Sequence, residues 1–423
     1  MAEMKDSEIE WVGKIPENWK VLKNKYNFEL SKEIIGTKWV ETQLLSLTKY
    51  GIKAINDGEQ TGKVPASLST YQKVNKDDLV MCLFDLDCSA VFSGISDFDG
   101  MVSPAYKCIK CKAHLFPKYI DYYFRTVFVD RKYKRYSKNV RFSISADEFM
   151  NLPIIVPPKD MQINIANFLD KKCAEIDALH TDIEKQIETL EEYKKSVIRE
   201  AVTRGLNPDV EMKDSGVEWI GNIPVHWKVK KIKYSATLTR GVFGHRPRND
   251  PKYYDGDYPF IQTGDVASAN KYIETFSQTL SELGKSVSKE FKKGTIAFTL
   301  AANVGDAAIL DFDSYFPDSV MAIIPNKNIN NVYLYYILSV MKTEFLKVAI
   351  VNTQMNLNVE RVGNVYIPIT FNDSEQREIV NYLDLKCTEI DGAITDKKQQ
   401  LETLEQYKKS LIYEYVTGKK EVR

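Results

Sequence analysis

The chain lacks net charge, since its 58 Lys and Arg residues balance 58 Asp and Glu residues over 423 positions. No overall field therefore draws it to nucleic acid, and any such binding must come from local basic patches. It also lacks long apolar runs, because the longest, Val332 to Met341, is too short to cross a bilayer. The polar start at Met1 contains no apolar segment of the kind found in signal peptides. We therefore expect no membrane partner.

Cysteine is scarce as well, and the six cysteines suggest no secreted disulfide framework, so a reducing cytoplasm is the expected location. Cys108 and Cys111, with His114 nearby, form the only pattern suggestive of a metal site, but structural zinc usually takes four ligands in two pairs. Cys82 and Cys88 have the wrong spacing to complete such a site, and residues three apart in a strand face opposite sides. We therefore expect buried thiols and no bound metal.

Motifs that carry catalysis are missing too. None of the four histidines lies beside a nucleophile motif. No glycine-rich loop joins a strand to a helix, and no Pro-Pro-aromatic motif for a flipped base occurs, which argues against methyl transfer. Asp209 with Glu211 and Lys213 resembles a Mg²⁺-holding nuclease pattern, but the same Glu-Met-Lys recurs at Glu3 to Lys5. We expect no catalytic activity and no cofactor, and a metal-dependent enzyme at Glu211 and Lys213 is the alternative.

What the sequence does contain is a tandem duplication. A helical stretch that begins at Gln162 returns at Gln376, a shift of 214 residues (376 minus 162). A shorter motif, Trp-x-Gly-x-Ile-Pro-x-x-Trp, starts at Trp11 and returns at Trp219, a shift of 208 (219 minus 11). We call it the tryptophan motif, and its tryptophans are expected to be packing anchors. A chain of this length should contain two or more domains. Each repeat thus consists of a tryptophan motif, a globular body and a long helix.

Both copies of the helical stretch have a seven-residue apolar period, with a second apolar position inside each period. Sustained over several heptads with charged flanks, this pattern is typical of a coiled coil. The seam is imperfect, because Lys397, His180, Lys194 and Lys408 occupy seam positions, and a soluble bundle helix is the alternative. The predicted seam residues are Leu169, Ile176, Ile183, Ile187, Leu190 and Val197 in the first copy, and Leu383, Ile390, Ile394, Leu401, Leu404 and Leu411 in the second.

Short β-like runs separated by turn residues fill both bodies, for example Leu79 to Phe84 and Phe260 to Thr263. Each body also contains a shorter helical stretch, near Pro117 to Tyr133 and near Asn331 to Lys347. The sequence therefore predicts an α+β fold, with two globular domains of mixed β-sheet and short helices and with two long helices. The predicted bounds are 1–159 and 205–371 for the domains, and 160–204 and 372–423 for the long helices.

Basic side chains interleaved with tyrosines or amides make both bodies candidates for nucleic-acid contact. The first body has six cations and no acid between positions 131 and 141, where a solvated helix end is the alternative. The second body has an arginine-rich loop and an amide-rich loop, and these side chains suit guanine and adenine edges respectively. The candidates are Arg131, Lys132, Lys134, Arg135, Lys138 and Arg141 in the first body, and Arg240, Arg246, Arg248, Asn249, Gln354 and Asn356 in the second.

The duplicated tryptophan motif, the helix opening Gln-x-x-Ile-x-x-[Phe/Tyr]-Leu-Asp and the helix close Tyr-Lys-Lys-Ser resemble the specificity subunits of type I restriction-modification systems. The segment Tyr254 to Asp265 looks like the start of a target recognition domain of that family, which adds Thr263 and Asp265 to the candidate DNA contacts. The resemblance covers essentially the whole chain. The first body departs from the usual opening, and its helix begins with Met161 where the second copy has Glu375.

The resemblance implies that each body reads one half of a split DNA target, and that the two long helices form an antiparallel coiled coil that separates the bodies. It implies partners as well: double-stranded DNA, methylation subunits (two are expected) and restriction subunits that translocate and cleave DNA. It places no active site and no cofactor in this chain. An adaptor of another class stays open, in which the coiled coil joins protein partners, the bodies bind peptides and duplex DNA is not bound in a salt-dependent way.

Overall fold

The computed structural model of the chain describes residues 3–48, 51–56, 67–88, 92–129, 131–137, 142–245, 249–351 and 355–422. It divides into two compact units. Unit 1 consists of Met1–Glu184 with Gln399–Arg423, and unit 2 consists of Lys185–Lys398. Both units mix helix with sheet, so the predicted α+β class is confirmed. Each unit takes one body together with a segment of both long helices.

Short strands and helices build the body of unit 1. In chain order they are β1 (Met4–Asp6), β2 (Lys14–Pro16), β3 (Lys20–Lys23), α1 (Asn24–Asn27), β4 (Phe28–Leu30), β5 (Leu45–Thr48), β6 (Gly51–Ala54), β7 (Gln72–Val74), β8 (Leu79–Met81), β9 (Ser93–Ile95), β10 (Gly100–Val102), β11 (Lys107–Cys111), α2 (Pro117–Val129), α3 (Ala146–Asn151) and β12 (Pro153–Val156), followed by the long helix α4 (Lys159–Arg204). Four antiparallel strands form the central sheet in the order β4-β11-β8-β9. Apolar residues of β8 and α2 are fully buried at its core.

Unit 2 repeats this plan with a larger sheet. Its elements are β13 (Met212–Asp214), β14 (Asn222–Pro224), β15 (Lys228–Lys231), β16 (Ala236–Arg240), β17 (Tyr254–Pro259), α5 (Thr263–Ser268), β18 (Tyr272–Ile273), β19 (Thr279–Leu280), α6 (Glu282–Ser286), β20 (Glu290–Phe291), β21 (Ile296–Thr299), β22 (Ala307–Leu310), β23 (Ser314–Tyr315), β24 (Val320–Pro325), α7 (Asn331–Ser339), α8 (Lys342–Val348), β25 (Ile350–Val351), β26 (Met355–Asn356), α9 (Val359–Gly363), β27 (Tyr366–Ile369) and the long helix α10 (Asp373–Val416). The central sheet has the order β16-β24-β21-β22-β18, in which only β18 and β22 pair in parallel.

The tryptophan motifs form equivalent hairpins in the two units. In unit 1, β1 pairs with β2 and in unit 2, β13 pairs with β14. The second tryptophan of each motif, Trp19 or Trp227, is at most 1% exposed, as expected for a packing anchor. The next strand of each unit, β3 or β15, pairs with β12 or β27, the strand directly before the long helix. The start of each body is therefore tied to the start of its helix.

The long helices α4 and α10 run for 46 and 44 residues. Each is followed by a glycine with positive φ, Gly205 at 72° and Gly418 at 71°, a conformation that glycine adopts without strain and that often ends helices. In unit 1 their segments run antiparallel, since the Phe168 ring lies against the Tyr415 ring while Asp177, further along α4, pairs with Lys408, earlier in α10. Every predicted seam residue is buried or half-buried in the structure.

Two sequence expectations about local structure were wrong. The run Phe260 to Thr263 is no strand, because Phe260 makes one isolated bridge to Tyr315 and Thr263 already begins α5. The helix near residues 331–347 is two helices, α7 and α8, with a break around Val340. No helix in the described part of the chain is both long and apolar enough to cross a bilayer.

Candidate nucleic-acid interface

One edge of the unit 2 sheet gathers loops that are distant in sequence. β16 ends at Arg240 opposite Met321, and β21 ends at Thr299 opposite Val320, so the loops that leave these strands lie side by side. We call residues 240–245, 263–264, 300–306, 317–319 and 355–357 the loop edge of unit 2.

Backbone hydrogen bonds hold the loop edge together. The Leu300 N–H donates to the Ser319 carbonyl at 2.8 Å, and the Leu357 N–H donates to the Leu300 carbonyl at 2.8 Å. Ala301 also bridges to Asn356. These contacts join the loop after β21 to the segment before β24 and to the strand β26. The position of each loop is therefore set by the sheet beneath it.

The structure brings three of the predicted DNA contacts to this loop edge: Arg240, Thr263 and Asn356. Arg240 donates from Nε to the Asp318 carbonyl, and the Thr263 carbonyl accepts from the Asn303 amide at 3.5 Å. Asn303 is exposed at the same edge and was not among the residues singled out from the sequence. No sequence motif points to Asn303, because its loop is brought to the loop edge only by the pairing of β21 with β24.

The remaining candidates of unit 2 lie elsewhere or in undescribed segments. The Asp265 carboxylate accepts from the Gln262 N–H at 2.7 Å and from the Ser277 N–H at 3.0 Å, so it caps α5 and holds the chain beyond it. Asn249 is exposed just before the turn at Pro251. Arg246, Arg248 and Gln354 fall outside the residues that the structure describes.

The basic stretch of unit 1 continues from the end of α2. Arg131 has a positive φ of 51° and donates to the Leu86 carbonyl at 3.4 Å. The Lys132 ammonium donates to the Thr126 carbonyl at 2.9 Å and lies over the Trp11 ring, whereas Lys134 is exposed with its ammonium over the Phe142 ring.

Arg135, also exposed, forms an ion pair with Glu10. These four cations surround an open cavity of about 590 Å³, which would accept an anionic group of the size of a phosphate. Lys138 and Arg141 lie outside the described residues.

An edge equivalent to that of unit 2 exists in unit 1. After β8, the Leu83 carbonyl accepts from the Ile144 N–H at 2.8 Å, as Leu300 accepts from Leu357 in unit 2. Both loops then contain a residue with positive φ, Asp85 at 51° and Ala302 at 60°. The sequence carries a signal for this equivalence, since Asn-x-Arg-Phe-Ser-Ile at 139–144 and Asn-x-Gln-Met-Asn-Leu at 352–357 align with a shift of 213 (352 minus 139).

Each body is anchored on its helix by an equivalent buried glutamine. Gln162 donates to the Pro157 and His114 carbonyls and accepts from the Phe116 N–H at 2.8 Å. Gln376 makes the corresponding three bonds in unit 2. The shift of 214 residues therefore extends into the bodies, as far back as the loops before α2 and α7.

A second anchor lies about two helical turns further along each long helix. Tyr122 and Lys118 both donate to Asp170, at 2.9 Å each. In unit 2 the repeat equivalents Tyr336 and Asp384 form the same pair, and Lys271 supplies the cation at 2.8 Å. The same aspartate in each helix therefore receives a tyrosine from its own body.

Of the cysteines that suggested a metal site, Cys82 and Cys108 are buried as expected, whereas Cys111 is half-buried and Cys88 is exposed. Burial raises the pKa of Cys108 and of Cys111 to about 12 in each case, so both thiols are protonated at neutral pH. Within the described ranges, no group of three or more His, Cys, Asp or Glu residues is arranged to hold a metal ion.

Comparisons with known proteins agree with this architecture. Residues 224–406 match the family model described as type I restriction modification DNA specificity domain. A Methanocaldococcus jannaschii protein, provisionally named the MjaX specificity subunit of a type I restriction enzyme, is 25% identical and covers 97% of this chain and 96% of its own. The type I restriction enzyme MjaIX specificity subunit of that organism is 32% identical over 44% of this chain and 43% of its own.

Two solved structures share the fold over almost the full length. A chain from work on complex assembly and conformational transition of the type I R-M system has a TM-score of 0.72 at 15% identity and covers 95% of this chain and 98% of that chain. The HsdS subunit from Thermoanaerobacter tengcongensis has a TM-score of 0.51 at 14% identity and covers 96% and 98%.

The relatives are named for specificity and the matched model is a DNA specificity domain, so the expectation of a non-catalytic chain is confirmed. Together with the duplicated motifs and their duplicated contacts, these similarities confirm the resemblance to the specificity subunits of type I restriction-modification systems that is seen in the sequence.

Proposed function

We propose that this chain reads a bipartite, asymmetric DNA target, with one half-site for each body. The observation that carries the proposal is the pair of equivalent loop edges, built on equivalent sheets but lined by different side chains. The loop after β8 has Asp85 and Asp87, whereas the loop after β21 has Ala302 and Asn303. Equivalent frames with unlike contact residues suit two half-sites of unlike sequence, because base edges are distinguished by donor and acceptor pattern.

In this proposal the domains are residues 1–159 and 205–371, and the helices at 160–204 and 372–423 set the distance between the half-sites. The basic stretch from Arg131 to Arg141 supplies phosphate contacts, and the arginines and amides of the second body supply base contacts. Double-stranded DNA, two adenine methylation subunits and restriction subunits are the partners, in the cytoplasm. This chain directs their chemistry and performs none.

The experiment is co-expression of the full chain with a methylation subunit of the same system, followed by mapping of methylated adenines across the host DNA. The expected result is one motif with two short specified parts separated by an unspecified gap of fixed length. A single continuous motif would contradict the bipartite reading. Absence of methylation, together with absence of salt-dependent duplex binding by the complex, would favour the protein-joining adaptor instead.

A further inference from the structure

The loop after β21, residues 300–306, is held in a strained and rigid form, and we call it the tip loop. Ala302 has a φ of 60°, in the left-handed region that side chains other than glycine rarely adopt, and it is exposed. Such conformations persist only where the surroundings enforce them, and they cluster at binding sites. Because Ala302 is exposed, packing around its own side chain does not hold this conformation. Residues beneath the loop must therefore hold it.

The enforcing group is Thr299, whose side chain is fully buried at the end of β21. Its hydroxyl donates to the Asn303 carbonyl and accepts from the Asp306 N–H at 2.9 Å, which closes the loop from inside. Asp306 is further fixed by an ion pair with Lys342. The backbone of the tip loop is thus set before any ligand arrives, which lowers the ordering cost of binding.

At the outer end of this loop stands the exposed side chain of Asn303. Its Nδ2 is 3.5 Å from the Thr263 carbonyl, at the outer limit of a hydrogen bond. Little free energy is therefore lost when the amide exchanges this contact for a hydrogen bond to DNA. Two further candidates belong to the same loop edge: Asn356 bridges to Ala301 of the tip loop, and Arg240 donates to the Asp318 carbonyl.

We propose that Asn303 is a specificity-determining residue that reads an adenine of the second half-site in the major groove. The amide Oδ1 accepts from the adenine N6 amino group while Nδ2 donates to N7, a pairing that no other base offers at one edge. This inference rests on the proposed function and adds the residue and the base. The Asn303 side chain takes no part in the contact that closes the tip loop, because the backbone carbonyl of Asn303 receives the Thr299 hydroxyl.

The test compares three full-length variants, each co-expressed with the methylation subunit, by mapping the methylated motif. Asn303→Ala should keep the first half-site and the gap but lose roughly ten- to a hundredfold discrimination at one adenine position of the second half-site. Asn303→Asp keeps the size of the side chain but cannot donate to N7, so it should lose preference at the same position. Asn326→Ala is the matched control, because Asn326 is also exposed and donates to a backbone carbonyl, but at the opposite end of β24.

An unchanged motif for Asn303→Ala, or an equal loss at every position of both half-sites, would overturn the inference while leaving the proposed function intact. Loss at one position that is not adenine would also overturn it. Failure of the unaltered chain to give any sequence-specific methylation would instead count against the proposed function itself.

Discussion

Lys194 donates to both carboxylate oxygens of Asp391, each at 2.7 Å, and in the other unit Lys408 donates to one carboxylate oxygen of Asp177. Under the shift of 214 residues, Lys194 is the repeat of Lys408 and Asp177 is the repeat of Asp391. Each aspartate therefore meets the lysine of the other copy. This reciprocity requires antiparallel helix segments, and it fixes the same register in both units.

Charge reversal at one of these pairs should destabilise the chain, and reversal of both partners should restore it. Lys194→Asp places two carboxylates together at a site where the side chains are only 20% and 30% exposed, so we expect a loss of about 1 kcal/mol or somewhat more in the free energy of unfolding. The double variant that also carries Asp391→Lys should regain most of the lost free energy of unfolding.

Thermal unfolding of the single and double variants, at low and high salt, measures the effect. Lys408→Asp is the matched control and should cost less, because its partner Asp177 is 62% exposed. No recovery in the double variant would show that the register is held by the apolar seam alone, and equal losses at the two pairs would contradict the dependence on exposure.

The buried anchor Gln376 should matter more for stability than any exposed glutamine of the same helix. Gln376→Ala leaves the Asn330 N–H and the carbonyls of Asn328 and Thr370 without their partner, and buried unpaired groups cost about 1–3 kcal/mol each, so we expect a total of roughly 2–4 kcal/mol. Gln399→Ala, on the exposed face, should change stability by less than about 0.5 kcal/mol. Denaturation by urea compares the two, and similar midpoints would contradict the anchor role.

The sequence predicts those parts of the fold that repeat, because periodicity and duplication are local signals. The heptads located both long helices, and Lys194 and Lys408, which looked like flaws in the seam, are the ion-paired positions. The loop edge was only partly predictable. Asn303 carries no motif, and the Asp265 carboxylate caps a helix, a role that depends on where Ser277 folds back. Such neighbours follow from strand register, which a single sequence does not display.

Two lysines of the basic stretch should differ in their effect on DNA binding. Lys134 is exposed, so Lys134→Ala should weaken binding to all sequences alike and reduce the slope of log K against log salt by about 1. Lys132 is half-buried, with its ammonium on the Thr126 carbonyl and near the Trp11 and Tyr413 rings, so Lys132→Ala should chiefly lower thermal stability. Binding titrations of the complex at several salt concentrations distinguish them, and a salt slope unchanged in Lys134→Ala would remove it from the phosphate contacts.

The long helices should act as a gauge for the gap between half-sites. One heptad inserted after Glu184 and another after Lys398 lengthens each helix by ~10 Å, which corresponds to about 3 base pairs of duplex. We expect the methylated motif to keep both half-sites with a longer gap, or methylation to fail because the half-sites fall out of helical phase. Mapping the modified adenines decides, and an unchanged gap would show that the helices do not set the spacing.

The loop after β8 contains a natural probe of the unit 1 edge, the thiol of Cys88. Cys88 is exposed, whereas the other cysteines are buried or half-buried, so a thiol-alkylating reagent should label one site per native chain. Desolvation raises the pKa of Cys88, and the neighbouring carboxylates of Asp87 and Asp85 raise it further. A higher pKa means less thiolate, so labelling at pH 8 should be slower than for a free thiol and should speed up as pH rises.

If the loop edge of unit 1 contacts DNA, a duplex carrying the target should slow this labelling, whereas a duplex altered only in the first half-site should protect much less. Cys88→Ser is the control for site identity and should abolish native labelling. Mass spectrometry of the labelled peptide follows the rate with and without DNA. Labelling at the same rate on a complex fully bound to DNA would show that this loop lies outside the interface. The loop edge of unit 1 would then not contact DNA in the way proposed for the loop edge of unit 2.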